Sequence, residues 1–160
     1  MLTGIRWRDQ RIVDLEITSA AQAHVRRRMV PEIAKVHQCQ VTRMERYIVG
    51  CYTAEDGRHF RAHRDNTTKG TAHRHFAISI NLNAAFEGCE VSFPEYSPRS
   101  FRPPQGGAVG FSCSLLHAVS KVTQGRRYAF LPFVYDDVAA ALREQNNPFL
   151  SESVGEFRRA

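Results

Sequence analysis

The sequence predicts a mainly β domain with flanking helices, a sandwich or a barrel such as the jelly roll. Three observations predict it. From residue 41 onward, apolar residues recur at every second position in several short runs. Turn-forming residues cut those runs apart at regular spacing. Helical patterning is confined to the stretches near the two ends. Many short, evenly spaced strands suit sandwiches and barrels alike, and periodicity alone does not choose between them.

Taken in order, the first ~17 residues carry weak signals. Ser19-Ala20-Ala21-Gln22 reads as a capping box that opens a helical segment over about 18–38, with Val25, Met29 and Ile33 on its apolar side. Pro31 falls inside it and predicts a kink or a break into two helices. The β-region is expected over about 40–135. In residues 41–52, Val41, Arg43, Glu45, Tyr47, Val49 and Cys51 would share one face. In residues 76–82, Phe76, Ile78, Ile80 and Leu82 face one way and Ala77, Ser79 and Asn81 the other. Further strands are expected over 90–93, 108–112, 115–122 and 127–134, separated by turns at Phe86-Glu87-Gly88, Pro103-Pro104-Gln105-Gly106-Gly107 and Gln124-Gly125. A closing helix is expected over about 137–146. Residues 1–160 read as one domain.

The 160 residues are enough for a real core. No apolar run approaches the roughly 18 residues that a membrane-spanning helix needs. The N-terminus has no apolar signal core, so a cytoplasmic location and no membrane partner are expected. Cys39, Cys51, Cys89 and Cys113 are scattered and form no CxxC pair, which favours free thiols. The net charge of +6 raises the question of nucleic acid. The arginines fall in small groups rather than one stripe, as on a solvated surface, and no nucleic-acid partner is expected.

Three features carry chemistry. His63-Arg64-Asp65 places an imidazole and a carboxylate two residues apart, on one side of an extended segment. His117 follows about 50 residues later, and Arg127 ten residues after that. Two histidines and one carboxylate on one face of an ion leave positions open for a chelating co-substrate and O2, the known arrangement of non-haem Fe(II) oxygenases. A nearby arginine can hold a distant carboxylate with two hydrogen bonds. Each residue alone would read as a surface or packing residue. A zinc reading pairs His59 with His63 and Cys113 with His117. Residues i and i+4 on an extended segment lie about 13 Å apart, which counts against it.

Longer phrases carry a resemblance. Arg46-Tyr47-Ile48-Val49-Gly50-Cys51-Tyr52, Phe60-Arg61-Ala62-His63-Arg64-Asp65-Asn66, Ser79-Ile80-Asn81-Leu82-Asn83 and Phe86-Glu87-Gly88 come first. Ser92-Phe93-Pro94-Glu95, Pro103-Pro104-Gln105-Gly106-Gly107-Ala108, His117-Ala118-Val119 and Val122-Thr123-Gln124-Gly125-Arg126-Arg127-Tyr128-Ala129-Phe130 follow. Together, over roughly 41–137, they resemble the prolyl-4-hydroxylase-like Fe(II)/2-oxoglutarate-dependent oxygenases. His63-Arg64-Asp65-Asn66-Thr67-Thr68 and Phe130-Leu131-Pro132-Phe133 also look like a bacterial subgroup in which such a domain follows a redoxin domain, which implies a larger redoxin-containing protein.

The resemblance implies a double-stranded β-helix, a jelly-roll or cupin-like barrel with the metal at its open mouth. It implies Fe(II) on His63, Asp65 and His117, and the C5 carboxylate of 2-oxoglutarate on Arg127 rather than on the adjacent Arg126. Asn81 stands where some relatives carry a tyrosine that helps hold this carboxylate; Asn81 and Tyr52 are candidate pocket residues. The implied activity is hydroxylation of an amino-acid side chain, with O2 activation coupled to conversion of 2-oxoglutarate to succinate and CO2. Ascorbate is a candidate reductant, and the substrate a peptide, a protein or a small molecule. Cys89 departs from the family phrase, replacing its second glycine. His73 and His75 are extra, and the N-terminal helical layer is short, as in a truncated or excised domain. The alternative from another class is a non-catalytic jelly-roll module that binds an anionic partner through its arginines.

Overall fold

The computed structural model describes residues 9–12, 14–57 and 59–147. In chain order the elements are β1 (Asp9–Arg11), α1 (Leu15–Arg28), α2 (Val30–His37), β2 (Arg43–Glu45), β3 (Ile48–Thr53), β4 (Phe60–His63), β5 (Phe76–Asn81) and β6 (Phe86–Gly88). They continue with β7 (Val91–Ser92), β8 (Ser100–Phe101), β9 (Ala108–Ser112), β10 (His117–Val119), β11 (Val122–Phe130), β12 (Phe133–Tyr135) and α3 (Asp137–Asn146).

The helical segment starts earlier than the capping-box reading placed it. Asp14 is the N-cap of α1, and its Oδ1 accepts from the Glu16 and Ile17 amides at 2.8 and 3.0 Å. A charged cap beside the first-turn Glu16 suits the positive end of the helix, so Ser19 lies inside α1. Pro31 sits in the first turn of α2, where its missing N–H costs no helical bond.

Several expected strands are divided. The run over 41–52 breaks at Arg46, whose φ of 67° is left-handed and interrupts the pleat. The faces reset there, and the buried positions of β3 are Gly50 and Tyr52 rather than Val49 and Cys51. Phe86-Glu87-Gly88 and Gln124-Gly125 are not turns but paired strand segments, with Gly125 opposite Phe86 and Gly88 opposite Val122. Gly125 has φ +75°, and a Cβ there would lie 2.3 Å from the Ala85 carbonyl oxygen. Glycine serves a close strand approach here, not a chain reversal. The short strands β4 and β8 were not foreseen.

The large sheet runs β1-β3-β11-β5-β12-β2, with β6 also on β11 and β9 also on β5. The small sheet runs β4-β10-β7-β8. The fold is a double-stranded β-helix, a jelly-roll half-barrel. Strand β5 shows how the faces divide. Phe76 and Ile78 join Val25 of α1 and Ile33 of α2 in the core beneath the helices. Ala77 packs the other way, with Phe111 and Phe133 of its own sheet against Val91 of the small sheet. The alternation read from residues 76–82 therefore separates a helix side from a barrel interior, and Ser79 and Asn81 follow Ala77 inward. No helix among the described residues is long and apolar enough to cross a membrane.

Candidate active site

His63 ends β4 and His117 opens β10, and antiparallel pairing sets the two residues directly opposite each other. Asp65 follows two residues later, and its amide donates to the Cys113 carbonyl at 2.9 Å, tying this turn to the approach of β10. His63 Nε2 lies 3.2 Å from Asp65 Oδ1, and His117 Nε2 lies 3.5 Å from Asp65 Oδ2. The donor atoms of the three side chains all fall within 4.8 Å of one another.

The other nitrogen of each ring faces a backbone carbonyl. His63 Nδ1 is 2.8 Å from the Arg61 oxygen, and His117 Nδ1 is 3.1 Å from the Leu115 oxygen. A carbonyl only accepts, so Nδ1 carries the hydrogen in a neutral ring and Nε2 keeps its lone pair. Two lone pairs then face one carboxylate, acceptors against acceptors. A cation among them resolves that conflict, and an imidazole–carboxylate–imidazole set suits Fe(II). Hydrogen bonding to Asp65 raises the pKa of His63, while burial lowers that of His117.

Arg127 lies on β11, opposite Tyr52 of β3. It is buried, whereas Arg126 points outward, its Nη1 3.4 Å from the Tyr128 hydroxyl. Arg127 donates from Nε to Asn81 Oδ1 at 2.8 Å, from Nη2 to Ser79 Oγ at 2.7 Å, and from Nη1 to Cys89 Sγ at 3.5 Å. All three acceptors are neutral, because burial raises the pKa of the Cys89 thiol although Arg127 pulls against it. No described carboxylate lies within ion-pair distance of this guanidinium. A buried cation without a counter-charge is costly, and an anion entering beside it would relieve that cost.

His63, Asp65, His117, Ser79, Tyr52 and Arg127 line one cleft, which holds about 550 Å³ of free space with the solvent at its mouth included. Gly50 gives Tyr52 its place, since a Cβ there would stand 2.8 Å from the tyrosine hydroxyl. Asn81, expected in the pocket wall, stands behind Arg127 instead. Its Oδ1 is taken by the arginine, and its Nδ2 donates to the Pro103 carbonyl at 2.6 Å. Ser79 and Cys89 were missed as partners of Arg127. Ser79 shares the inward face of Asn81, which was the one available signal. Cys89 had been read only as a departure from a glycine. The zinc pairs do not form, for neither His59 nor Cys113 joins a cluster of donors among the described residues.

Fold and cleft together define a jelly-roll domain in which a His–Asp–His donor set able to hold a metal ion shares one cleft with a buried arginine. The family model of the 2OG-Fe(II) oxygenase superfamily matches residues 39–135, more than half of the chain, and the chain belongs to that family. Solved structures share the fold. A 2OG-Fe(II) oxygenase family oxidoreductase from Burkholderia pseudomallei is 18% identical, with a TM-score of 0.60, over 78% of this chain and 59% of its own. A prolyl hydroxylase from Trichoplax adhaerens, in complex with a hypoxia inducible factor oxygen degradation domain peptide fragment, is 18% identical at TM-score 0.59, over 79% and 57%. The viral collagen prolyl hydroxylase of Paramecium Bursaria Chlorella virus-1, in its 2OG complex, is 18% identical at TM-score 0.62, over 81% and 79%. The chain thus spans less than two thirds of the first two proteins. No curated protein sequence matches it significantly.

Proposed function

We propose that this chain is an Fe(II)- and 2-oxoglutarate-dependent dioxygenase domain that hydroxylates an amino-acid side chain, with a peptidyl proline as the first candidate. One observation carries the reading: a single cleft joins the His63, Asp65 and His117 donor set to a buried guanidinium that has no described counter-charge. Among the neighbours, a prolyl hydroxylase holding a peptide supports a peptide substrate. The redoxin-linked arrangement gains no support from the matches.

His63, Asp65 and His117 would hold the iron, and Arg127 the far carboxylate of 2-oxoglutarate. When bound there, iron and its co-substrate supply O2 activation coupled to release of CO2. The chain's own residues position and exclude. The Arg61 and Leu115 carbonyls keep hydrogen on Nδ1 of the two rings, so both Nε2 atoms face the cleft. Ser79 and Asn81 fix the guanidinium plane, so that an arriving carboxylate meets a preset donor pair. Tyr52, Phe60 and Val119 make the intervening wall apolar and keep competing water away.

The test is anaerobic reconstitution with Fe(II) and 2-oxoglutarate, exposure to O2 with proline-containing peptides, and measurement of succinate and of oxygen incorporated into the peptide. Succinate with peptide hydroxylation supports the full reading. Succinate without it, across peptides and free amino acids, keeps the co-substrate and removes the substrate class. Failure to bind either Fe(II) or 2-oxoglutarate sinks the proposal.

A further inference from the structure

We infer that Cys39, His75 and Asp136 form a second metal site, a Zn(II) staple that joins the ends of three neighbouring strands. The large sheet runs β5-β12-β2, with β12 antiparallel to both neighbours. The end of β12 therefore lies beside the starts of β5 and β2. Asp136 immediately follows β12, His75 immediately precedes β5, and Cys39 stands four residues before β2. Topology thus delivers a thiol, an imidazole and a carboxylate to one edge of the sheet.

Their spacing points to an ion rather than to bonding among themselves. Cys39 Sγ is 4.0 Å from His75 Nδ1, and His75 Nδ1 is 3.9 Å from Asp136 Oδ2. The second distance is too long for a hydrogen bond, and the first is at the outer limit for sulfur. All three donor atoms nevertheless lie within 4.8 Å of one another. Tetrahedral zinc with its usual bond lengths separates sulfur from nitrogen by roughly 3.6 Å and nitrogen from oxygen by roughly 3.3 Å. The two measured pairs need to close by only about half an ångström to match these separations.

The donors are also held in place. Asp136 Oδ1 caps α3 through the Ala139 amide at 2.8 Å, which leaves Oδ2 toward His75. The His75 backbone is fixed on both sides, its amide to the Val134 carbonyl and its carbonyl to the Cys113 amide. Thiolate, imidazole and carboxylate together suit Zn(II), and the site is open enough for water to complete the fourth position. Binding would displace the Cys39 thiol proton to solvent. The staple would close a loop from residue 39 to residue 136 that contains the whole cleft, where a cross-link restricts the unfolded chain most. The competing reading is that Cys39 simply packs against the helix-side core, where it also makes contact.

The inference stands apart from the iron site, and Co(II) separates the two, because only this one has sulfur. Titrating the full chain with Co(II) should give a near-ultraviolet sulfur-to-cobalt charge-transfer band. The band should persist in His117→Ala and vanish in Cys39→Ser. Since Cys39 also packs on the core, His75→Gln is the second variant and should weaken or abolish the band with the thiol intact. Zn(II) should raise the melting temperature of the wild type and of His117→Ala, but of neither His75→Gln nor Cys39→Ser. Absence of the band in the wild type overturns the inference, as does a band that survives Cys39→Ser or is unchanged in His75→Gln.

Discussion

The Glu45 and Asp65 clusters each pair a carboxylate with histidine, and they differ in how completely they are closed. Glu45 is buried and saturated. Its Oε1 accepts from Arg74 Nε at 2.8 Å, and its Oε2 faces His73 Nε2 at 3.0 Å and accepts from Arg143 Nε at 2.9 Å. Burial opposes its ionisation, yet the hydrogen bond from His73 and the charge of Arg74 outweigh it and hold the pKa down to about 2. Asp65 lies in an open cleft, between two rings whose Nε2 atoms have no hydrogen to give when neutral. A histidine beside a carboxylate is therefore not diagnostic in itself. A cluster that has satisfied its own charges serves the fold, and one that leaves donor atoms converging on a cleft serves a ligand.

The sharpest break in this comparison removes each carboxylate in turn. Asp65→Ala should abolish succinate formation, an effect larger than the roughly 10–100-fold that loss of an outer partner costs, because a proposed ligand itself is gone. Its melting temperature should move little, since the site is only half-buried. Turnover and thermal melting of one preparation check both statements. Glu45→Gln should do the reverse. It removes the charge that Arg74 and Arg143 share in the interior, and breaking a buried ion pair by removing one partner costs roughly 3–5 kcal/mol. For a domain of this size that lowers the melting temperature by about 10 °C. Fe(II) affinity measured well below the new melting point should be preserved. If Glu45→Gln lost metal while keeping its stability, the division between the clusters would fail.

Acid sharpens the same contrast. The pKa of Glu45 falls on folding from its ordinary 4.5 to about 2. A carboxylate with a lowered folded pKa stabilises fully above its unfolded pKa and loses that contribution as pH falls through the folded value. Wild-type stability should therefore decline between about pH 4.5 and pH 2. Chemical denaturation across that range should show a shallower decline for Glu45→Gln.

Arg127 tests the open side by binding rather than by stability. Arg127→Met removes charge-assisted hydrogen bonds to the proposed co-substrate, worth roughly 1.5–3 kcal/mol, and the KM for 2-oxoglutarate should rise roughly 10–100-fold. The desolvation cost of a buried cation disappears, while Ser79 and Asn81 lose a donor. These effects oppose each other, so thermal stability should change less than in Glu45→Gln. A variant that unfolds without any change in KM would place Arg127 with the structural cluster.

The open cluster was more legible in the sequence than the closed one, for a physical reason. His63 and Asp65 announce themselves through local geometry, because residues two apart on an extended segment share a side. The β5 alternation was likewise local and survived folding. Glu45 and its partners lie 28, 29 and 98 residues apart, and no local pattern joins them. The pairing that sets His117 against His63 is equally non-local, and the family phrases supplied it rather than any periodicity. The strand break at Arg46 depends on backbone geometry that period-two counting does not register. Gly125 misled because glycine marks a chain reversal and a close strand approach equally well.

Cys89 is the smallest test and the most finely balanced. It has φ 54°, a left-handed conformation that costs an L residue about 1–2 kcal/mol relative to glycine. Cys89→Gly would relieve that cost. It would also remove a buried thiol packed with Tyr52, Phe86 and Val122, and emptying a space of that size costs about as much. The two nearly cancel, so the melting temperature should shift by no more than a few degrees. Arg127 would lose only its longest and weakest hydrogen bond, at 3.5 Å, and keep those to Asn81 and Ser79 at 2.8 and 2.7 Å. The KM for 2-oxoglutarate should then rise by less than threefold, far below the change expected for Arg127→Met. A tenfold rise in Cys89→Gly would show instead that the thiol sets the angle of the guanidinium, and would move Cys89 from the packing of the cleft into its binding machinery.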